Sequence, residues 1–146
     1  MKKVKIELTP AQYQKLVESV FLGTWVANST REDLNEEFEA VRDHVLSYYK
    51  EAGMEGLIEK NEEFGFNDLN VNYESELLHN YVEPYDEYTF WEKLAEKLAD
   101  KELAKGHGAV SVPLTEEQIL KKLGYEEEIE MDLHENGMKN VNWEKG

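Results

Sequence analysis

The sequence contains no cysteine. Disulfides, thiol chemistry and any Cys-held zinc or iron–sulfur site are therefore excluded. Basic residues are also scarce, sixteen against thirty-two acidic, for a formal net charge of −16. Such a chain repels nucleic-acid phosphate and anionic membranes, and it attracts cations and basic proteins. No stretch approaches the roughly 18 uninterrupted apolar residues of a membrane span, so no membrane association is expected. The start, MKKVKIELTPAQ, passes from lysines into charge and a helix start without an apolar core. No signal peptide is expected there, and the default setting is cytoplasmic.

Motifs that carry chemistry are missing as well. The sequence has no Gly-rich strand-to-helix loop, no Gly-x-Ser-x-Gly elbow and no His-Glu-x-x-His run. Paired carboxylates occur everywhere in so acidic a chain, so their proximity in sequence nominates no acid–base couple. The expectation is a protein that is not an enzyme, with no cofactor and no metal.

What is present builds a core. Of the 146 residues 40% are hydrophobic, with eight Tyr, five Phe and three Trp, enough for one compact domain and a small appendage. Val4, Ile6 and Leu8 alternate as in a half-buried strand over 4–8, and Thr9-Pro10 with Gln12 marks a capped helix. Tyr13, Leu16, Val17, Val20, Phe21 and Trp25 recur at three- and four-residue steps along that first helix. Thr30 with Asp33 predicts a second helix whose stripe is Leu34, Phe38, Val41, Val45 and Tyr48, ending at Gly53; the two helices are expected to pack as a hairpin. MEGLIEK reads as a short helical piece and NEEFGFNDLN as an irregular loop. Asn72 predicts the cap of a further helix closed by Pro84, and a long helix follows from Asp86 to Lys105, burying Trp91, Leu94, Ala95 and Leu98.

The expected fold class is helix-rich α+β, with a helical core of four to five helices over 1–105 and a C-terminal extension over 106–146. In that extension AVSVPL reads as a strand over 109–113, and Thr115 with Gln118 caps a helix ending at Gly124. Ile129, Met131 and Leu133 alternate before Asn136-Gly137, and Val141 and Trp143 alternate after it, which predicts a β-hairpin over 128–143. A three-residue loop Glu135-Asn136-Gly137 would set Met131 against Val141 and Ile129 against Trp143. Strands 4–8 and 109–113 are candidates to join it, and its apolar face offers a contact for a homo-oligomer.

One stretch, NDLNVNYESELLH (67–79), carries five potential metal ligands. As a calcium loop it puts Asp68, Asn70 and Asn72 at the first, third and fifth positions. It places Tyr73 where the sharp turn needs glycine, and His79 where a bidentate glutamate is required. As half of a di-iron site, Glu76 and His79 have the Glu-x-x-His spacing, but no second copy exists. Capping and helix-dipole roles account for the same residues. Asp68, Glu76 and His79 are thus the candidates for a small metal-assisted enzyme, the alternative function. His44, His107 and His134 stand alone.

Charge is unevenly placed. Between Glu51 and Glu92 lie twelve acidic residues and one basic, Lys60. Glu32, Glu36, Glu39 and Asp43 follow at four, three and four residues, lining one face of the second predicted helix with mutually repelling carboxylates. Lys93, Lys97, Lys101 and Lys105 form a basic stripe near a helix C-terminus. In NYVEPYDEYTFW, Tyr81, Tyr85 and Tyr88 mix with Glu83, Asp86 and Glu87. Tyrosine beside carboxylate is the composition of a recognition surface for a basic partner, because Tyr anchors at low entropic cost and charge steers the encounter. The function expected is a non-enzymatic acidic module that engages a basic protein through these ten residues, as an inhibitor, immunity protein or DNA mimic does. A structural homo-oligomer joined through Ile129, Met131, Val141 and Trp143 is the second alternative.

Overall fold

The structure, a computed structural model, describes residues 1–107 and 112–145. The fold is helix-rich α+β, and the chain forms two compact units, Met1–Glu83 and Pro84–Gly146. The long helix expected to complete a core over 1–105 groups instead with the C-terminal residues. Among the described residues, no helix is long and apolar enough to cross a membrane.

In the first unit, α1 (Pro10–Asn28) begins as its sequence predicts. Thr9 Oγ1 accepts from the Gln12 N–H, and Gln12 Oε1 accepts from the Thr9 N–H, a reciprocal capping box with Pro10 in the first turn. Tyr13, Val17 and Phe21 at four-residue steps bury one face, each contributing about 1.5–3 kcal/mol on full burial. Helix α2 (Glu36–Leu46) packs on α1 as a helical hairpin. Its start is later than expected, because Asn35 is the cap. Asn35 Oδ1 accepts from the Glu37 and Phe38 N–H groups, while its own N–H donates to Asn28 Oδ1 at the end of α1. Glu39 in turn accepts from Asn28 Nδ2 at 2.9 Å. The predicted apolar stripe is corrected except at Val45, which is half-buried against the core. Leu34, Phe38, Val41 and Tyr48 are exposed, whereas Leu46 and Tyr49 are buried.

The antiparallel pair lies in the middle of the chain. MEGLIEK is not helical but feeds β1 (Ile58–Lys60), which pairs with β2 (Asn67–Leu69) in the register Ile58 to Leu69. Asn61 organises the connection: its Oδ1 accepts from Glu63 and Phe64 N–H, and Gly65 turns with φ +74°. Ile58 and Leu69 point into the core formed by Tyr13, Val17, Phe21, Leu46, Tyr49, Met54, Tyr73 and Leu77. Strand 4–8 is a further correction, since Val4, Ile6 and Leu8 belong to no sheet and are exposed.

Asn70, not Asn72, caps α3 (Val71–Leu77), its Oδ1 accepting from Tyr73 N–H at 2.8 Å and its Nδ2 donating to Gly56 O at 2.8 Å. Tyr73 then reaches across the core to donate at 2.8 Å to Glu18, a buried carboxylate on α1 that also accepts from Lys15 at 2.8 Å. Burial alone would push the Glu18 carboxyl up, but the hydrogen bonds from Lys15 and Tyr73 outweigh it and hold it below the usual carboxylate value. Burial and the facing Glu18 push the Tyr73 phenol above its ordinary value. Pro84 does not close a helix. A wider π-helical turn (Leu78–Val82) follows α3, and Pro84 stands in the first turn of the next helix, where its missing N–H is tolerated.

The second unit contains α4 (Glu83–His107) from Pro84 onward and α5 (Glu116–Asn136). Ala95, Ala99 and Leu103 are buried, while Trp91, Leu94 and Leu98 are half-buried. The predicted hairpin over 128–143 is overturned: α5 runs through Gly124 to Asn136. It keeps the predicted capping box of Thr115 and Gln118, and Gly137, at φ +58°, stops it. Glu, Met, Leu and Lys dominate 116–136 and favour helix, with Ile119 and Ile129 the only β-branched residues. Ile129 and Val141 are half-buried, whereas Met131 and Trp143 are exposed, so the four residues expected to share a hairpin face do not share one. Lys122 bonds Asp100 at 2.8 Å, linking α5 to α4, and that bond raises the lysine pKa. The expected strand over 109–113 lies outside the described residues at 109–111.

Candidate functional site

The ten residues expected to bind a partner divide between the units. Glu32, Glu36, Glu39, Asp43, Tyr81 and Glu83 lie in the first, and Tyr85, Asp86, Glu87 and Tyr88 in the second. Glu32 sits in the link before α2, so the stripe on the helix is Glu36, Glu39 and Asp43. Glu39 is held by Asn28, and Asp43 lies 3.6 Å from Arg42, which also pairs with Asp68 on β2. On this face Arg42 offsets part of the Asp43 charge, and Asn28 gives Glu39 a neutral donor.

The candidate metal ligands are engaged elsewhere. Asp68 faces Arg42, His79 Nδ1 lies 2.9 Å from Glu83, and Glu76 is exposed on α3. Among the described residues, no three His, Asp or Glu side chains converge as a metal site requires. The basic stripe is likewise partly paired along its own helix, Lys93 with Glu96 and Lys105 with Glu102.

The second unit holds a cleft of about 620 Å³ that the sequence reading did not identify. Tyr88, Trp91 and Glu92 on α4 follow at three and four residues and form one wall. Glu130, Leu133, His134 and Gly137 on and just beyond α5, at three, four and seven, form the other. Trp91 is fixed in two ways: Nε1 donates to Glu87 at 2.8 Å, and the ring meets Phe90 edge to face at 5.1 Å. Leu133 is the buried residue of the cleft, and Tyr88 is 70% exposed at its edge. Tyr85, Asp86 and Glu87 lie on the preceding turn of α4 and are exposed. The α5 wall was hidden because its residues read as strand. The helical spacing of Glu130 and His134 behind the Thr115 cap was the available signal.

Chemically, two carboxylates, Glu92 beside the rings on α4 and Glu130 on α5, with the rings of Tyr88 and Trp91 are a set that can take a cation: carboxylates supply charge, and ring faces supply cation–π attraction and apolar contact for an alkyl stem. Among the described residues, no serine or threonine lines this cleft. Set against protein-family models, curated proteins and solved structures, the chain gives no match.

Proposed function

We propose that the protein is a non-enzymatic acidic binding module that engages a basic partner protein, with a lysine or arginine of that partner seated between α4 and α5. The single observation that carries this reading is the cleft's lining, Tyr88 and Trp91 with Glu92 and Glu130, on a chain of net charge −16. Trp91, held by Glu87 and Phe90, is preorganised and loses little freedom on binding. Tyr85, Asp86, Glu87 and Tyr88 extend the surface along α4, and the first unit's exposed carboxylates add to the long-range field that speeds encounter. A cytoplasmic setting is proposed with it.

The test is capture from a lysate of the source cells on the immobilised full chain, at low salt and at 0.5 M NaCl. The expected result is a basic protein retained at low salt, released by salt, and lost with Trp91→Ala or with Glu92→Gln and Glu130→Gln together. Capture of nothing basic, or of a protein indifferent both to salt and to these substitutions, overturns the proposal.

A further inference from the structure

The first unit leaves two apolar features without a partner. One is the N-terminal arm: Val4 (88% exposed), Ile6 (72%) and Leu8 alternate with Lys3, Lys5 and Glu7 on a segment that belongs to no helix or strand. The other is a groove of about 380 Å³ between α1 and α2, lined by Ser19, Val20, Gly23, Thr24, Glu37, Phe38 and Val41. Small residues on α1 make its floor, and a Cβ built at Gly23 meets nothing within 4 Å. Phe38 and Val41 stand exposed beside it, and the acidic first turn of α2, Glu36 and Glu37, borders it.

The two features are complementary. A strand with period-two side chains presents Val4, Ile6 and Leu8 to one side and Lys3 and Lys5 to the other. Laid in the groove, it covers the apolar floor while its lysines lie near the Glu36 and Glu37 carboxylates. The arm does not occupy its own groove: among the described residues none of 2–8 lines it, and Val4 and Ile6 stand exposed. The Thr9–Gln12 capping box holds Thr9 extended (φ −68°, ψ 160°) where the arm enters α1. We propose that the arm over residues 2–8 of one copy docks in the α1–α2 groove of a second copy. Exchange of arms is reciprocal, which doubles the covered surface and closes the assembly as a two-fold dimer.

Sedimentation velocity on the full chain, from about 5 to 500 μM, reads this directly. The expected mass rises from 17.0 kDa to twice that value. Ile6→Asp in the arm and Gly23→Leu in the groove are each expected to weaken dimerisation at least a hundredfold. The circular dichroism of both variants should be unchanged, since Ile6 is exposed and open space surrounds Gly23. Because the chain has no cysteine, an Ile6→Cys chain mixed with a Val41→Cys chain gives a clean second readout, an interchain disulfide under mild oxidation. A species that stays monomeric throughout overturns the proposal. So does a disulfide that forms only within one chain carrying both substitutions, which would mean that the arm folds onto its own groove. A dimer unaffected by either Ile6→Asp or Gly23→Leu also overturns it.

Discussion

Replacing Tyr73 by Phe removes one hydroxyl from the core and tests what holds α1 to α3. The ring stays, so no cavity opens, and the change is confined to the bond at 2.8 Å from Tyr73 to Glu18. Hydrogen bonds to a charged acceptor contribute about 1.5–3 kcal/mol, and Glu18 is buried, so a loss of about 2 kcal/mol is expected with Lys15 left as its partner. Trp25 is the only tryptophan of the first unit. Its fluorescence in a Trp91→Phe, Trp143→Phe background reports urea unfolding of that unit. The pH dependence gives a second constraint. Glu18 has a folded pKa below its ordinary 4.5, so its contribution is present above that value and is lost as pH falls through the depressed one. Tyr73 has a folded pKa above 10.0, so its contribution is complete below pH 10.0 and declines as pH rises beyond it. The stability difference between wild type and Tyr73→Phe should therefore be flat from about pH 6 to 9 and shrink on both sides. A loss below about 0.5 kcal/mol, or a difference that stays constant from pH 8 to 11, would refute the assignment.

Two further substitutions test the helix ends and interiors. Gly124 lies inside α5 with nothing within 4 Å of an added Cβ, so Gly124→Ala should stabilise the second unit by about 0.5–1 kcal/mol, read as a higher thermal midpoint; a fall in the midpoint would contradict the helical assignment of 116–136. Asn70→Ala removes both the α3 cap and the bond to Gly56 O and should cost about 1–2 kcal/mol in urea unfolding of the first unit, whereas Asn70→Asp keeps the cap and should cost less; equal losses would rule out the capping role.

The parts of the fold that were legible in the sequence are those that depend on neighbours in sequence. Thr9 with Gln12 and Thr115 with Gln118 are capping boxes in which every partner lies within three residues, and both form as read. The buried stripe Tyr13, Val17 and Phe21 is equally local. The α2 start failed because Asn35 wins over Thr30 and Asp33 through a bond to Asn28, seven residues away in sequence and fixed only once α1 has formed. The C-terminal hairpin failed for a different reason. Alternation of Ile129, Met131 and Leu133 spans five residues and fits a strand, but Leu133 also falls four residues after Ile129, a helical step. The helix-forming composition of 116–136 and a firm cap decide between the two. Strand 58–60 was hidden by the opposite effect, since three residues are too few to show a period, and β1 exists only by pairing with β2 across the Asn61 turn.

The same distinction applies to charge, and it changes what a count of carboxylates means. Glu18, Glu39, Asp68, Glu87, Asp100 and Asp132 all look alike in composition, yet each accepts a hydrogen bond or ion pair that fixes the fold. Asp132, for instance, takes bonds from both Asn136 and Asn140 at 2.7 Å and ties the end of α5 to the turn behind it. Glu87 does so too, but its donor is Trp91, and the effect is to hold an aromatic ring at the wall of the cleft. A carboxylate engaged in this way orients the group that it accepts from. Glu92 and Glu130 stand at the cleft beside that ring. Under the proposed function, electrostatic recognition would rest less on how many acidic residues the sequence contains than on which of them the folding of α4 and α5 leaves turned toward one opening.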